Sequence, residues 1–101
     1  MAEHRYFLRG EVDLAVAPQV RDELLRAVKE EDAHLLVDCT HLTFIDSTGI
    51  GVLLEVNALL EADDRHMLIV NVPRGPRRVL ETLGLTDLTR YDRSGQDPTE
   101  Q

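Results

Sequence analysis

The segment from Ile50 to about Ala62 constrains this chain more than any other, because its apolar residues do not keep to one side. Val52, Val56, Leu59 and Leu60 form a stripe at helical spacing, and Ile50, Leu53 and Leu54 widen it. A helix apolar over so much of its circumference must be covered by other elements, so it is expected to be the most buried helix of the fold. It does not read as a membrane span. The longest apolar stretch, Gly49 to Leu60, has 12 residues and is interrupted by Glu55 and Asn57, where a spanning helix needs roughly 20. With 101 residues in all, there is room for one domain and one core around this helix.

The flanking segments supply the covering elements. Tyr6 to Leu8 reads as a strand closed by the turn formers Gly10-Glu11-Val12-Asp13. Pro18 suits the first turn of a helix whose inward face is Val20, Leu24, Leu25 and Val28, and Glu30-Glu31-Asp32 ends it in solvent. His34 to Asp38 has the length of a strand, and Leu42 to Ile45 carries a second apolar patch just before Asp46-Ser47-Thr48. The side-chain oxygens of those three residues suit the orphan amides of a helix start. Met67 to Val70 reads as a further strand, punctuated at its exit by Pro73 and Gly75-Pro76. A last helix follows, with Val79, Leu80 and Leu83 inward, Gly84 as its C-terminal cap, and Leu85 and Leu88 docking on the core. Residues 92–101 have nothing to bury and are expected to form a flexible tail behind a domain spanning 1–91. Strands alternating with helices give an α/β fold with a mostly parallel or mixed sheet covered by helices.

Charge and cysteine content remove several classes of function. Eleven Lys and Arg against 19 Asp and Glu leave a net charge of −8, which repels nucleic-acid phosphates. Residues 73–93 are locally basic, and Arg74, Arg77 and Arg78 form a small spot to which no ligand is assigned. The N-terminus has no apolar signal core, and the lone Cys39 excludes an internal disulfide, so a cytoplasmic location is expected.

The chemistry concentrates at Asp46-Ser47-Thr48-Gly49-Ile50-Gly51, a polar run that opens the apolar helix and carries two glycines in its first turn or so. Each glycine costs a helix about 1 kcal/mol relative to alanine. Something must offset that cost: either another element packs closely on the helix start, or an external partner approaches its backbone. Ser47, at a helix N-terminus, tolerates an added phosphate. Such a phosphate adds about −1.5 to −2 charges beside Asp46, and near Asp13 if the Gly10 to Asp13 turn lies alongside.

Other chemistries fit poorly. A serine hydrolase built from Ser47, His41 and Asp46 lacks the Gly-x-Ser-x-Gly elbow, since Ile45 stands at the first glycine. Asp38, Cys39 and His41 are too crowded for a metal site. Gly49-Ile50-Gly51 opens like a dinucleotide fingerprint, but Leu54 replaces the third glycine, and no cofactor is expected.

Read in order, Gly10-Glu11-Val12-Asp13, Ala17-Pro18, Leu36-Val37-Asp38, Phe44 to Leu54 and Val79-Leu80-Glu81-Thr82-Leu83-Gly84-Leu85 resemble the STAS domain, in particular the bacterial anti-sigma factor antagonists. The resemblance runs from about Arg5 to Leu88. It implies a single α/β STAS domain whose mixed sheet is covered by helices. The family's first edge strand is expected to be shortened or absent, because only Met1 to His4 remain to supply it. It also implies a non-enzymatic partner switch. The partner would be an anti-sigma factor, a serine kinase of the histidine-kinase-like ATPase fold, which binds the unphosphorylated antagonist and inactivates it by phosphorylating Ser47. A PP2C-type phosphatase would reverse the modification. Glu11, Asp13, Asp46, Ser47, Thr48, Gly49 and Gly51 are the expected partner-binding residues, with Thr48 the fallback acceptor. The chain is expected to be a monomer or weak dimer. The competing implication is a scaffold or accessory STAS subunit, of a lipid-transport ATPase or a stressosome-like assembly, that does not switch.

Overall fold

The structure is a computed structural model, described here for residues 2–82. Eight elements follow in order: β1 (Glu3–Phe7), β2 (Gly10–Val12), α1 (Ala17–Glu30), β3 (His34–Asp38), β4 (Leu42–Ile45), α2 (Ser47–Ala62), β5 (Met67–Val70) and α3 (Arg74–Thr82). The strands are ordered β1-β3-β5, with β2 paired to β4, and every described pairing is parallel. The β2–β4 pair continues from the β1–β3 pair past a bend at Gly10 and a turn closed by Leu42 N donating to Cys39 O (3.0 Å). The two pairs are joined across this junction by hydrogen bonds from Leu8 N to Asp38 O (3.0 Å) and Gly10 N to His41 O (2.9 Å). The register shifts between Gly10 and Glu11, and Gly10 takes the bend with φ of 68°, a conformation open to glycine without strain.

The expectation that β1 covers only Tyr6 to Leu8, and that Gly10 to Asp13 is a turn, is therefore corrected. β1 starts at Glu3, and Gly10 to Val12 is itself a strand. The partners that make both segments strands lie some 31 to 33 residues away in sequence, beyond the reach of local propensity. Within the described residues β1 is the edge of its sheet. The stretch from Asp38 to Asp46 likewise contains β4 and is not a plain connection.

α2 is the most buried helix, as its composition requires: Gly49, Ile50, Val52, Leu53, Val56 and Leu60 are all inside. Leu54 and Leu59 depart from the expected inward face and stand 42% and 45% exposed. In α1, Val20 and Leu24 are buried while Leu25 and Val28 pack at the margin of the core. α3 begins at Arg74, so Gly75-Pro76 lies inside its first turn and does not precede it. Proline is tolerated there because that amide has no helical acceptor. Val79 is half-buried and Leu80 fully buried. Leu83, Gly84, Leu85, Leu88 and the tail expected over 92–101 lie outside the described residues. No described helix is long and apolar enough to cross a membrane.

Two polar clusters pin the frame. The Arg65 side chain, 6% exposed, reaches the end of α1 and donates to Val28 O (3.1 Å), Glu31 O (2.7 Å) and Ala33 O (3.2 Å). Its Nε lies 2.9 Å from Asp63 Oδ2. A cation at the C-terminus of a helix satisfies carbonyls that have no intrahelical donor. At the other end of the sheet, buried Asp38 accepts hydrogen bonds from Thr40 N and Oγ1, Asn71 Nδ2 and Arg5 NH1. Burial pushes the Asp38 carboxyl up, but these donors together outweigh it and hold the pKa below the ordinary aspartate value.

Candidate functional site

The N-terminus of α2 follows β4 directly and meets the end of β2. Asp46 N donates to Val12 O (3.2 Å), which ties the helix start to the end of β2. Asp46 is the N-cap: its Oδ1 accepts from Thr48 N (3.0 Å) and Gly49 N (3.2 Å), and also from Thr48 Oγ1. The Thr48 hydroxyl bond, followed by the two backbone donors, keeps the Asp46 carboxyl below its ordinary pKa, so it is firmly ionised near neutral pH.

Of the three expected capping oxygens, then, one does the capping. Asp46 takes the orphan amides and the Thr48 hydroxyl is spent on Asp46. Ser47, the first helical residue, is exposed, and among the described residues its hydroxyl has no hydrogen-bond partner.

The two glycines divide along the lines of the two explanations for them. Gly49 is buried, and a Cβ there would meet Ile45 Cγ1 and Val12 Cγ1 at 2.8 Å and Val12 O at 3.1 Å. Close approach of β2 and β4 therefore requires this glycine. Gly51 is exposed, and a Cβ there would meet nothing within 4 Å. No internal contact accounts for it.

Because Val12 touches the helix start, its sequence neighbours are carried there as well. Glu11 is exposed and stands opposite Phe44 in the β2–β4 register. Asp13 closes the turn that precedes α1, its Oδ1 accepting from Ala15 N (3.0 Å) and Val16 N (3.3 Å). The Gly10 to Asp13 segment thus meets Asp46 at Val12. Two exposed apolar residues in the same segments escaped the sequence reading. Leu14 is 71% exposed beside Asp13, and Phe44 is 47% exposed two residues before the cap. Phe44 is outward because β4 buries its first and last residues, Leu42 and Ile45, and turns Thr43 and Phe44 to solvent.

Asp38 at the end of β3 and Cys39 and His41 in the turn after it do not converge on a site. Asp38 belongs to the buried cluster above, and His41 is exposed. Cys39 is 1% exposed, and burial, reinforced by Asp38, pushes its thiol up to about 12, leaving it protonated and unreactive. Among the described residues, no group of three or more His, Cys, Asp or Glu is placed to hold a metal ion.

Comparison with known proteins fits this geometry. The family model for the STAS domain matches residues 5–97. The anti-sigma-B factor antagonist of Listeria monocytogenes is 29% identical over 82 residues, 81% of this chain and 72% of the relative. The solved structure of the anti-sigma factor antagonist SpoIIAA in its unphosphorylated form matches with a TM-score of 0.80 at 22% identity, over 98% of this chain and 87% of that one. The phosphorylated form of SpoIIAA, a Bacillus cell fate determinant, matches with a TM-score of 0.70 at 22% identity, over 97% and 89%. At that identity the likeness to SpoIIAA is one of fold.

Proposed function

The chain belongs to the STAS domain family, and from that premise we propose that it is an anti-sigma factor antagonist that works by partner switching. Unphosphorylated, it binds an anti-sigma factor that is itself a serine kinase of the histidine-kinase-like ATPase fold. Phosphorylation of Ser47 ends that binding, and a PP2C-type phosphatase restores it. The similarity to anti-sigma-B factor antagonists supports the partner class. The observation that carries the reading is the unengaged, exposed hydroxyl of Ser47 beside an aspartate that already caps the helix.

In the transfer, Ser47 Oγ attacks the γ-phosphorus of the kinase-bound ATP. The new O–P bond forms as the bond to ADP breaks, and the serine proton passes to a base of the kinase. This chain supplies the acceptor and the docking surface and no catalytic group. Thr48 is the poorer acceptor, because its hydroxyl is bonded to Asp46.

The product phosphate adds about −1.5 to −2 charges next to the ionised Asp46 and near Glu11 and Asp13. Like charges opposed across an interface cost on the order of several kcal/mol, and about 1.4 kcal/mol is tenfold in affinity. One phosphate therefore suffices to release a partner whose surface complements the unmodified site. Gly51 adds a second feature, a bare backbone on which that partner can seat closely.

The test is affinity capture with Ser47→Ala and Ser47→Asp baits in parallel, with phosphosite mapping of the wild-type chain. The expected result is an ATPase-fold kinase retained by Ser47→Ala and lost by Ser47→Asp, with the phosphate on Ser47. Retention of one transporter or large assembly by both baits would overturn the switch in favour of a scaffold role.

A further inference from the structure

The start of α2 offers a kinase two hydroxyls one residue apart, and the structure treats them differently. Asp46 is the N-cap, Ser47 the first helical residue and Thr48 the second. An N-cap carboxylate turns to the amides of the second and third helical residues, and Asp46 Oδ1 accordingly accepts from Thr48 N (3.0 Å) and Gly49 N (3.2 Å). The Thr48 side chain starts beside that same oxygen and donates its hydroxyl to it. Ser47 escapes the arrangement. It is exposed, with no hydrogen bond to its hydroxyl among the described residues, whereas Thr48 is half-buried.

We infer that Asp46 selects the acceptor: by holding the Thr48 hydroxyl it leaves Ser47 as the usable one, so the choice is made by this chain and not by the kinase. The inference rests on the phosphorylation of Ser47 proposed above. Phosphoryl transfer asks two things of a hydroxyl, that its oxygen reach the γ-phosphorus in line and that its proton pass to a base of the kinase. For Thr48 the proton is already committed to an ionised carboxylate. Turning its oxygen outward breaks a charge-assisted hydrogen bond, the stronger kind. Nor can the turn roll to present Thr48 in place of Ser47, because Gly49 beside it is seated on Val12 and Ile45 with no room for a Cβ. The order of the residues is therefore decisive. A hydroxyl at position 48 is trapped and one at position 47 is free, whichever of the two is serine.

The test uses the purified kinase retained in the capture experiment, with ATP, and reads initial rates and phosphosites on full-length chains. The substrates are wild type, Ser47→Ala, Ser47→Ala combined with Asp46→Gly, and the exchange variant Ser47→Thr with Thr48→Ser. Glycine is tolerated at an N-cap, and circular dichroism melts check that each variant is folded. Wild type should carry phosphate on Ser47 and Ser47→Ala almost none. Adding Asp46→Gly should raise the rate at position 48 by about tenfold or more. There the Thr48 Oγ1–P bond forms as the bond to ADP breaks, and the hydroxyl proton passes to the base of the kinase. The exchange variant should be modified at position 47. Modification of Ser47→Ala at position 48 as fast as with Asp46→Gly, or of the exchange variant at position 48, shows the kinase choosing and overturns the proposal. So does a combined variant that stays unmodified, since the bond to Asp46 was then not what excluded Thr48. A wild-type chain without phosphate on Ser47 removes the proposed function itself and this inference with it, so the two failures are told apart.

Discussion

Exchanging each of the two glycines of α2 for alanine should move stability in opposite directions. In a helix, alanine is intrinsically favoured over glycine by about 1 kcal/mol. At Gly51 nothing opposes that gain, since a Cβ meets open space, and Gly51→Ala should stabilise the fold by about 0.5–1 kcal/mol. At Gly49 the same methyl would sit 2.8 Å from Val12 Cγ1 and Ile45 Cγ1, and 3.1 Å from a backbone oxygen. Both side chains are β-branched, with little rotamer freedom to retreat, and Val12 O is also the acceptor that anchors Asp46 N. With two contacts at 2.8 Å the overpacking falls in the upper half of the usual range, about 2–3 kcal/mol, which outweighs the propensity gain and leaves Gly49→Ala net destabilised by about 1–2 kcal/mol. The two variants should then differ by about 2 kcal/mol, some 10 °C in melting temperature for a domain of this size. Urea and thermal unfolding followed by circular dichroism read the difference directly. A Gly49→Ala protein as stable as wild type would refute the close seating of α2 on β2 and β4, and a destabilised Gly51→Ala would refute the openness of that face. Under the proposed function the stabilised Gly51→Ala protein should nonetheless bind its partner more weakly, a combination that loss of folding cannot produce.

Two further outcomes follow from the polar clusters. Arg65→Met keeps most of the side-chain volume but removes the donors to Val28, Glu31 and Ala33, and should cost about 3 kcal/mol in urea unfolding. Asp38 has a lowered pKa in the folded state, so its ionised form binds protons less readily there than in the unfolded chain. Its stabilisation is therefore complete above the unfolded value of about 3.9 and is lost as pH falls through the lower folded pKa. Acid unfolding of Asp38→Asn should accordingly show a shallower pH dependence in that window, and an unchanged profile would remove Asp38 from the acid response.

What the sequence disclosed and what it withheld separate by the range of the interactions involved. α1, α2, β3 and β5 were legible because each announces itself within its own span, through helical periodicity or a short apolar run. The start of α2 was legible as a polar, glycine-bearing helix start. β2 and the full length of β1 were not, since their ladders are completed by β3 and β4 about thirty residues later. Leu54 and Leu59 stand outward for a related reason. A composition apolar all round shows that a helix is largely covered, but not which sector the fold leaves open. Arg65 gave no signal at all: its acceptors are backbone carbonyls of α1, which no residue pattern records. At the site itself, the sequence offered three candidate capping oxygens and two unexplained glycines without ranking either set.

That ranking decides how a phosphate could act here. Had Ser47 been the N-cap, its modification would have withdrawn the oxygen that satisfies the first amides of α2, and any switch would have been entangled with unfolding of the helix start. With Asp46 accepting from Thr48 N and Gly49 N, those amides stay satisfied whatever is attached to Ser47. Gly49 holds the same turn against Val12 by shape alone. The backbone around the acceptor is thus fixed twice over, once by a capping carboxylate and once by a contact that admits no Cβ. A charge added at Ser47 has no local bond to break, so its effect falls on whatever approaches from outside, which is the condition a partner switch needs.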